Sequence, residues 1–360
     1  MKKYFYRLFD KVYRETQNII DNIIFFPFQI KRNTPFYKNI FKYGVLRIFP
    51  KKNTFFSYLE ILGKELKLNN KIKNSKKIIS MGTCFAEQIH LYFNEKHSVI
   101  ENSETNRFNF AADWGRITSI EHLFRLTQFY IDGNIDNHVK IKSLNGIENS
   151  QKLKLIKSFK NHSSEFDIKK NILIIDTSRE HLTIHSSKSS YEKTINSHLF
   201  FARKAIRNCD TIFLTLGQTG YFEDHKGIFY AIKPSSLFSE IESLRFIEND
   251  INSIKLQIKK LESCIENIRN LSNDPQIFIS LSPVPAFAYF GLNKKSILEY
   301  HWFSKSFLYQ VINNVISNDN SLTYIPTFES TMSANVSSLN NDLRHLKIGF
   351  RDKIFDSLLN

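Results

Sequence analysis

The stretch from Lys76 to Ile89 has the sequence KKIISMGTCFAEQI. Its first part, KKIIS, is a short apolar run typical of a buried strand, and CFAEQI begins a helical pattern. Between them, Gly82-Thr83-Cys84 predicts a strand-to-helix turn, in which glycine permits a sharp change of direction. At the start of a helix, the dipole and the first N–H groups favour a thiolate and can bind an oxyanion. The stretch therefore predicts an α/β unit in which Cys84 is either a candidate nucleophile or, as is commoner for a free cysteine, a small buried apolar residue.

Further strands and helices alternate along the chain. Apolar, β-branched runs follow at NILIID (171–176), TIFLTL (211–216), QIFISL (276–281) and SLTYI (321–325). Helical patterns lie near 119–131, 191–208, 236–271, 295–317 and 346–359. This alternation predicts a three-layer α/β/α fold, with a flavodoxin-like parallel sheet that includes NILIID and TIFLTL as buried strands. Residues 132–170, rich in Asn, Lys and Ser, are predicted to form an insertion or mobile loop.

The composition is that of an ordinary globular protein. The 360 residues are 42% hydrophobic and 24% charged, which argues against wholesale disorder. Three cysteines exclude a disulfide framework and a Cys-rich zinc module. His181 and His185 lack ligand spacing, so no metal site is predicted. Neither the GxxxxGK[ST] nor the GxGxxG motif is present, which argues against nucleoside-triphosphate and dinucleotide chemistry.

The positive charge of the chain is concentrated at its N-terminus. Residues 1–77 carry 18 Lys+Arg and 5 Asp+Glu, a net charge of +13 out of +15 for the whole chain. We therefore predict a basic, aromatic-rich helical extension over residues 1–69, followed by an α/β domain over residues 70–360. Such a charge asymmetry predicts an anionic partner.

The first helix of this extension has two interpretations. Phe5, Leu8, Phe9 and Val12 recur at the spacing of one helical face. In the first interpretation residues 1–28 bind an anionic membrane surface, with the aromatic side chains at the headgroups. In the second, the face packs on the α/β body. Nucleic acid is not the expected partner, because no nucleic-acid-binding motif accompanies the charge.

The location of the chain is predicted from what the sequence lacks. No apolar run is long enough to span a membrane, and the first thirteen residues lack the apolar core of a signal peptide. The expected location is the cytoplasm, with a peripheral position at the inner membrane if residues 1–28 bind lipid.

Two later segments carry polar groups where predicted strands end. Gly217-Gln218-Thr219 follows TIFLTL, and its glycine N–H and threonine hydroxyl are candidate oxyanion donors. Asp342-Leu343-Arg344-His345 follows the last strand, with a carboxylate three residues before a histidine that it can orient for proton transfer. In an open parallel sheet the carboxyl ends of the strands gather such groups at one edge.

The order of these pieces is similar to that of the SGNH hydrolase superfamily, with a Gly-Asp-Ser block first and Asp-x-x-His last. More closely, MGTCFAEQI resembles the Gly-Ser-Cys-Phe-Ala signature of the GSCFA family. TLGQT at 215–219, SPVP at 282–285, Ser304-Lys305 and DLRH near the C-terminus agree with that family. The likeness covers roughly residues 70–350.

The resemblance implies a role for each residue of the candidate site. It implies Cys84 as the nucleophile, His345 as the base and Asp342 as the group that orients it. Gly82, Thr83, Gly217, Thr219 and Asn109 would form the oxyanion site and pocket. Thr83 replaces the family's usual serine, and Thr219 stands where SGNH enzymes carry an oxyanion-hole asparagine.

The expected function is acyl transfer, by an esterase or an O-acyltransferase, on an acylated glycan in bacterial surface-polysaccharide (capsule) metabolism. No cofactor is required, and acyl-CoA is a candidate donor. The alternative is a catalytically inactive scaffold on the same fold, which the departures at Thr83 and Thr219 motivate. A third hypothesis is a membrane-surface assembly factor that acts through the N-terminal segment.

Overall fold

The computed structural model describes residues 55–72, 75, 77–96, 115–134, 139–143, 145, 148–152, 161–162, 172–178, 183–185, 187–231, 244–286, 289, 291, 296–333, 339–342 and 344–359. In chain order the elements are α1 (Phe55–Glu65), α2 (Leu68–Ile72), β1 (Ile78–Gly82), α3 (Cys84–Lys96), α4 (Ile120–Asp132), β2 (Val139–Ser143), β3 (Asn161–His162), β4 (Ile172–Asp176), β5 (Thr183–His185), α5 (Lys188–Asn208), β6 (Thr211–Leu216), β7 (Tyr221–Glu223), β8 (Phe229–Tyr230), β9 (Arg245–Ile247), a 3-10 turn (Ile251–Ser253), α6 (Ile254–Leu271), β10 (Gln276–Leu281), α7 (Ile297–Asn318), β11 (Thr323–Ile325), α8 (Thr327–Met332) and α9 (Ile348–Leu359).

The central sheet has four parallel strands in the order β1-β6-β10-β11. Thr215 of β6 aligns with Gly82 of β1 on one side and with Ser280 of β10 on the other. The residues that follow these three strands therefore leave the sheet at the same edge. That edge is called the carboxyl edge below.

Helices cover both faces of this sheet. On one face Met81, Leu214 and Ile279 belong to a buried cluster with side chains of α4, α6 and α7. On the other, the Phe213 ring stacks on Phe278 at 5.0 Å and packs against Phe93 of α3 at 5.2 Å. Because successive side chains of a strand point to opposite faces, each apolar strand supplies both cores. The three-layer α/β/α arrangement is confirmed.

The assignment of NILIID to the parallel sheet is wrong. That run forms β4, which pairs antiparallel with β2 and β5 in a separate sheet of order β2-β4-β5-β3. An apolar run indicates a buried strand but does not identify its partner. Here the partner β2 lies within residues 132–170, predicted to be a loop or insertion, and β3 also comes from that segment.

The helix predicted over 236–271 begins later than expected. Of the described residues in that range, Arg245–Ile247 form β9, which pairs with β7 in a third sheet of order β8-β7-β9. Asp250 then accepts the N–H groups of Asn252 and Ser253 and starts the turn that leads into α6. A short polar cap therefore ends the strand and sets the helix start.

The described residues from Phe56 onward belong to one compact unit. Helix α2 packs on α9, and Lys71 of α2 donates to the Thr323 hydroxyl of β11 at 2.6 Å. The predictions for residues 1–54, including the Phe5–Val12 face and the membrane contact of residues 1–28, lie outside the described residues, and the boundary at residue 70 stays a prediction. Within the part of the chain that the structure describes, no helix combines the length and apolarity that a membrane span requires.

Candidate functional site at the carboxyl edge

The turn after β1 depends on Gly82. Its φ of 140° lies in the region that favours glycine. A Cβ at this position would lie 2.1 Å from the Thr215 carbonyl oxygen of β6. Glycine therefore allows β1 to stay in register with β6 while the chain turns into α3.

Thr83 fixes the start of α3. Its N–H donates to the Thr215 hydroxyl at 3.0 Å, and its own hydroxyl lies 3.1 Å from that of Thr215. The Thr83 hydroxyl also accepts the N–H of Phe85 at 3.2 Å, which is the hydrogen bond of a helix N-cap. Cys84 is consequently the first residue of the helix, at its positive end.

Cys84 differs in exposure from the other two cysteines. The structure holds all three as free thiols, Cys84 partly exposed and Cys209 and Cys264 buried. Burial raises the pKa of Cys209 to about 12 and that of Cys264 to about 12. Protonated, enclosed thiols are inert, so the partly exposed Cys84 is the candidate nucleophile.

The Gly217 turn lies directly beside Thr83. A Cβ on Gly217 would lie 2.8 Å from Thr83 Cγ2. The N–H groups of Gly217 and Gln218 both donate to the Thr118 carbonyl, at 3.1 and 2.9 Å. The Gly217 N–H is thus already engaged, and the oxyanion role predicted for it requires that hydrogen bond to be exchanged.

Thr219 connects the carboxyl edge to α7. It is buried, and its hydroxyl lies 3.3 Å from that of Ser304. Its carbonyl accepts the side-chain amide of Asn249. This network holds the end of the Gly217–Thr219 turn against the helix that carries Lys305.

Lys305 is a buried cation within this site. Only 2% of the residue is exposed, and its Nζ donates to the Gly217 carbonyl at 3.0 Å. The Phe328 ring centroid lies 5.7 Å from Nζ. Burial lowers the pKa of Lys305 to about 7, and a negative charge at Cys84 or Glu329 opposes that shift. Gly217, whose carbonyl accepts the Lys305 hydrogen bond, lies beside Thr83, the residue before Cys84, so Lys305 belongs to the surroundings of Cys84.

The other charged neighbour of Lys305 is Glu329 of α8. Burial raises the pKa of this carboxyl above its ordinary value, against the opposing effects of the Tyr324 hydroxyl and Lys305. The Tyr324 hydroxyl donates to Glu329 Oε1 at 2.7 Å. On α7 itself, burial followed by the charge of Lys305 lowers the pKa of His301 to about 4, so His301 is neutral.

Asp342 and His345 form the predicted pair. His345 Nδ1 lies 2.5 Å from Asp342 Oδ2, where the ring N–H donates to the carboxylate. Asp342 Oδ1 accepts the N–H groups of Arg344 and His345, at 3.0 Å each. The His345 hydrogen bond and these N–H groups hold the pKa of Asp342 well below its usual range. Both side chains are exposed, so the pair is open to solvent.

One contact links this pair to the carboxyl edge. The Arg344 guanidinium donates to the Pro285 carbonyl at 3.2 Å, in the SPVP segment that follows β10. This contact attaches the Asp342–His345 loop to the segment that follows β10. The residues around Cys84 and Lys305 at the carboxyl edge are Gly82, Thr83, Gly217 and Thr219. The pairing of Cys84 with His345 stays a prediction, and Asn109 lies outside the described residues.

Sequence reasoning assigned no role to Lys305 and Glu329. A signal for Lys305 exists, since it shares a helical face with Leu308 and Ile312, at i+3 and i+7, where a lysine is out of place. Glu329 gives no such signal, because an acidic residue in the first turn of a helix is common. Among the described residues, no three His, Cys, Asp or Glu side chains are grouped so as to hold a metal ion.

The parallel sheet flanked by helices makes this chain a three-layer α/β protein, and a partly exposed cysteine lies on the strand-to-helix turn that follows β1. The sequence profile of the GSCFA family matches residues 77–357, so the chain belongs to the GSCFA family. No curated protein and no solved structure gives a significant match.

Proposed function

We propose that the chain is an acyl-transfer enzyme with Cys84 as its nucleophile. The observation that carries the proposal is the position of Cys84, a partly exposed thiol on the first residue of α3 with the buried cation Lys305 nearby. A helix start and a cation both favour the thiolate, which is the reactive form. The SGNH-like order of the site segments supports the same reaction class.

In the proposed reaction the Cys84 thiolate attacks the carbonyl carbon of an ester or thioester. A sulfur–carbon bond forms, and the carbonyl π electrons move to oxygen. The positive end of α3 stabilises this oxyanion, with Thr219 and the Gly217 turn shaping the pocket. When the carbonyl re-forms, its bond to the leaving oxygen or sulfur breaks, the alcohol or thiol takes a proton from the imidazolium form of His345, and a thioester remains on Cys84.

His345 then activates the acceptor that attacks the thioester. Its ring is held by Asp342, which fixes the Nδ1 proton and leaves Nε2 as the base. Water as acceptor gives an esterase, and a sugar hydroxyl gives an O-acyltransferase. The acylated glycan, an acyl-CoA donor, a role in bacterial surface-polysaccharide metabolism and a location in the cytoplasm at the inner membrane are part of the proposal through the family resemblance.

The test is covalent trapping. The full chain is incubated with p-nitrophenyl acetate or with acetyl-CoA, and its intact mass is followed over time. We expect a gain of one acetyl group that maps to Cys84 and is lost in Cys84→Ala. The matched control is Cys264→Ala, which removes a buried thiol and should leave the labelling in place.

Failure of the proposal has a clear form. If neither donor acylates the wild-type chain, and release of p-nitrophenol is equal in the wild type and Cys84→Ala, the enzyme is excluded for these donors. The inactive scaffold on the same fold then becomes the better description.

A further inference from the structure

The burial of Lys305 requires a physical explanation. Moving an ammonium group out of water costs several kcal/mol unless other groups pair with it. Its hydrogen bond within the described part of the chain goes to a neutral acceptor, the Gly217 carbonyl. A fold that only needed to fill this space would do so with an apolar side chain.

Among the residues that the structure describes, two groups close to Lys305 can carry a negative charge. Cys84 follows Thr83, whose Cγ2 lies against the Gly217 turn that accepts the Lys305 hydrogen bond. Glu329 follows Phe328, whose ring centroid is 5.7 Å from Lys305 Nζ. Glu329 is the weaker counter-ion, because burial favours its neutral form and because its charge opposes the lowered pKa of Lys305 less than that of Cys84 does. His301 of α7 is neutral and supplies no charge. The remaining group is the thiol of Cys84.

We propose that Lys305 is the positioning residue of this site, whose ammonium group pairs with the Cys84 thiolate while its hydrogen bond to the Gly217 carbonyl fixes the adjacent turn. The pair holds one proton at neutral pH. The Cys84 S–H bond breaks, its electron pair stays on sulfur, and the proton forms an N–H bond on the Lys305 amine. The net charge of the pair does not change, and no cofactor or co-reactant takes part.

This inference rests on the proposed function, in which Cys84 is the nucleophile, and adds how that nucleophile is kept ready. His345 keeps its separate task of moving protons to the leaving group and from the acceptor. A Cys–Lys pair titrates as a unit, so its effect appears in the pH profile of thiol reactivity. That profile is measured without any acyl substrate.

The experiment is alkylation of the full chain by iodoacetamide between pH 5 and pH 10, read at Cys84 by peptide mass spectrometry. In the wild type we expect half-maximal reactivity below the value of about 8.5 shown by an ordinary thiol. Lys305→Met keeps the unbranched shape and removes the charge. At pH 7 this variant should react about tenfold more slowly, with its midpoint moved to higher pH.

The matched control is Lys260→Met, which removes a lysine that pairs with Glu121 and lies near the buried Cys264. It should leave the Cys84 profile unchanged. Glu329→Gln keeps a partner for Tyr324 but removes the competing carboxyl group. It should leave the Cys84 midpoint the same or move it to lower pH.

A folded Lys305→Met variant with the wild-type rate and midpoint overturns the proposal. If circular dichroism shows that this variant does not fold, the pH profiles of the wild type and of Glu329→Gln test the proposal instead. An ordinary wild-type midpoint, or a slower reaction in Glu329→Gln, overturns it equally. If the Cys84 pH profile depends on Lys305 but the chain transfers no acyl group, the Cys84–Lys305 pair is supported and the proposed function is rejected. If the chain transfers acyl groups but the profile does not change in Lys305→Met, the proposed function is supported and the pair is rejected.

Discussion

The surroundings of Cys84 and Cys264 contain the same kinds of side chain, arranged differently. Cys264 lies on α6 near Glu121 and Lys260, and Cys84 lies on α3 within electrostatic range of Lys305, with Glu329 close to that lysine. Around Cys264 the charges pair with each other, since Lys260 and Arg125 both contact the Glu121 carboxylate. Around Cys84, Lys305 donates to a backbone carbonyl instead.

The difference shows that position, rather than the set of residues, decides the chemistry. Cys264 is fully buried in the middle of a helix, and its raised pKa keeps it a thiol. Cys84 begins a helix and is partly exposed. The cation near it is Lys305, and burial favours the neutral form of Glu329, the other acidic group near that lysine. The predictions below test this contrast, beginning with the largest expected effect.

The first prediction concerns the rates at which the two thiols are labelled. In the native protein at pH 7 we expect N-ethylmaleimide to modify Cys84 at least about a thousandfold faster than Cys264. Cys264 must wait for the local or global opening of the core, whereas Cys84 does not. Quantitative peptide mass spectrometry gives both rates, and labelling in concentrated urea is the control in which they should converge. If the labelling rates of Cys84 and Cys264 in the native protein lie within tenfold of each other, the two thiols do not differ in the way proposed.

The second prediction concerns Asp342 and His345, the pair that we propose transfers protons in the reaction of Cys84. His345→Ala should lower kcat/KM for acyl transfer by about 10²–10⁴-fold, because it removes the proton-transfer group. Asp342→Asn should cost less if Asp342 only orients the ring. Both side chains are exposed, so melting temperatures should stay near that of the wild type. Equal activity in His345→Ala and the wild type would exclude His345 as the base.

Much of this arrangement could be predicted from local sequence. The strand–turn–helix at Gly82-Thr83-Cys84 and the Asp342–His345 spacing are short-range patterns, and the structure contains both. Apolar runs also predicted the strands of the central sheet, since buried parallel strands need apolar side chains on both faces.

What the sequence left open depends on contacts between distant residues. Strand β4 pairs with β2, whose sequence VKIKS has mixed polarity and contains no apolar run that would predict a strand. The placement of Lys305 depends on the carbonyl of Gly217, 88 residues earlier in the chain. A lysine in a helix is ordinarily solvated, so its burial becomes evident only once α7 is packed against the carboxyl edge.

The third prediction concerns the turn that sets Cys84 apart from Cys264. Gly82→Ala should lower the free energy of unfolding by about 2–4 kcal/mol, because it combines an unfavourable φ with a Cβ clash against the β6 backbone. Gly349→Ala is the matched control, since a Cβ there meets nothing within 4 Å. Urea denaturation measures both. A Gly82→Ala variant as stable as Gly349→Ala would contradict the role of glycine in this turn.

The last and smallest effect is the pH dependence of stability that buried Lys305 introduces. The pKa of Lys305 in the folded state is about 7, below its ordinary value of 10.5. At neutral pH the Cys84–Lys305 pair of the folded chain holds one proton, whereas the thiol and the amine of the unfolded chain hold two, so the free energy of unfolding rises with pH. One proton sets an upper limit of about 1.4 kcal/mol per pH unit. Lys305→Met should lack this rise, whereas Lys260→Met should retain it. Urea denaturation between about pH 7 and 8.5 measures the slopes, below the range where thiols ionise in the unfolded chain. Above that range the raised pKa values of Cys209 and Cys264 give the opposite dependence. Equal slopes in the wild type and Lys305→Met would show that the Cys84–Lys305 pair gives up no proton on folding, and the contrast between the two cysteine sites would then be lost.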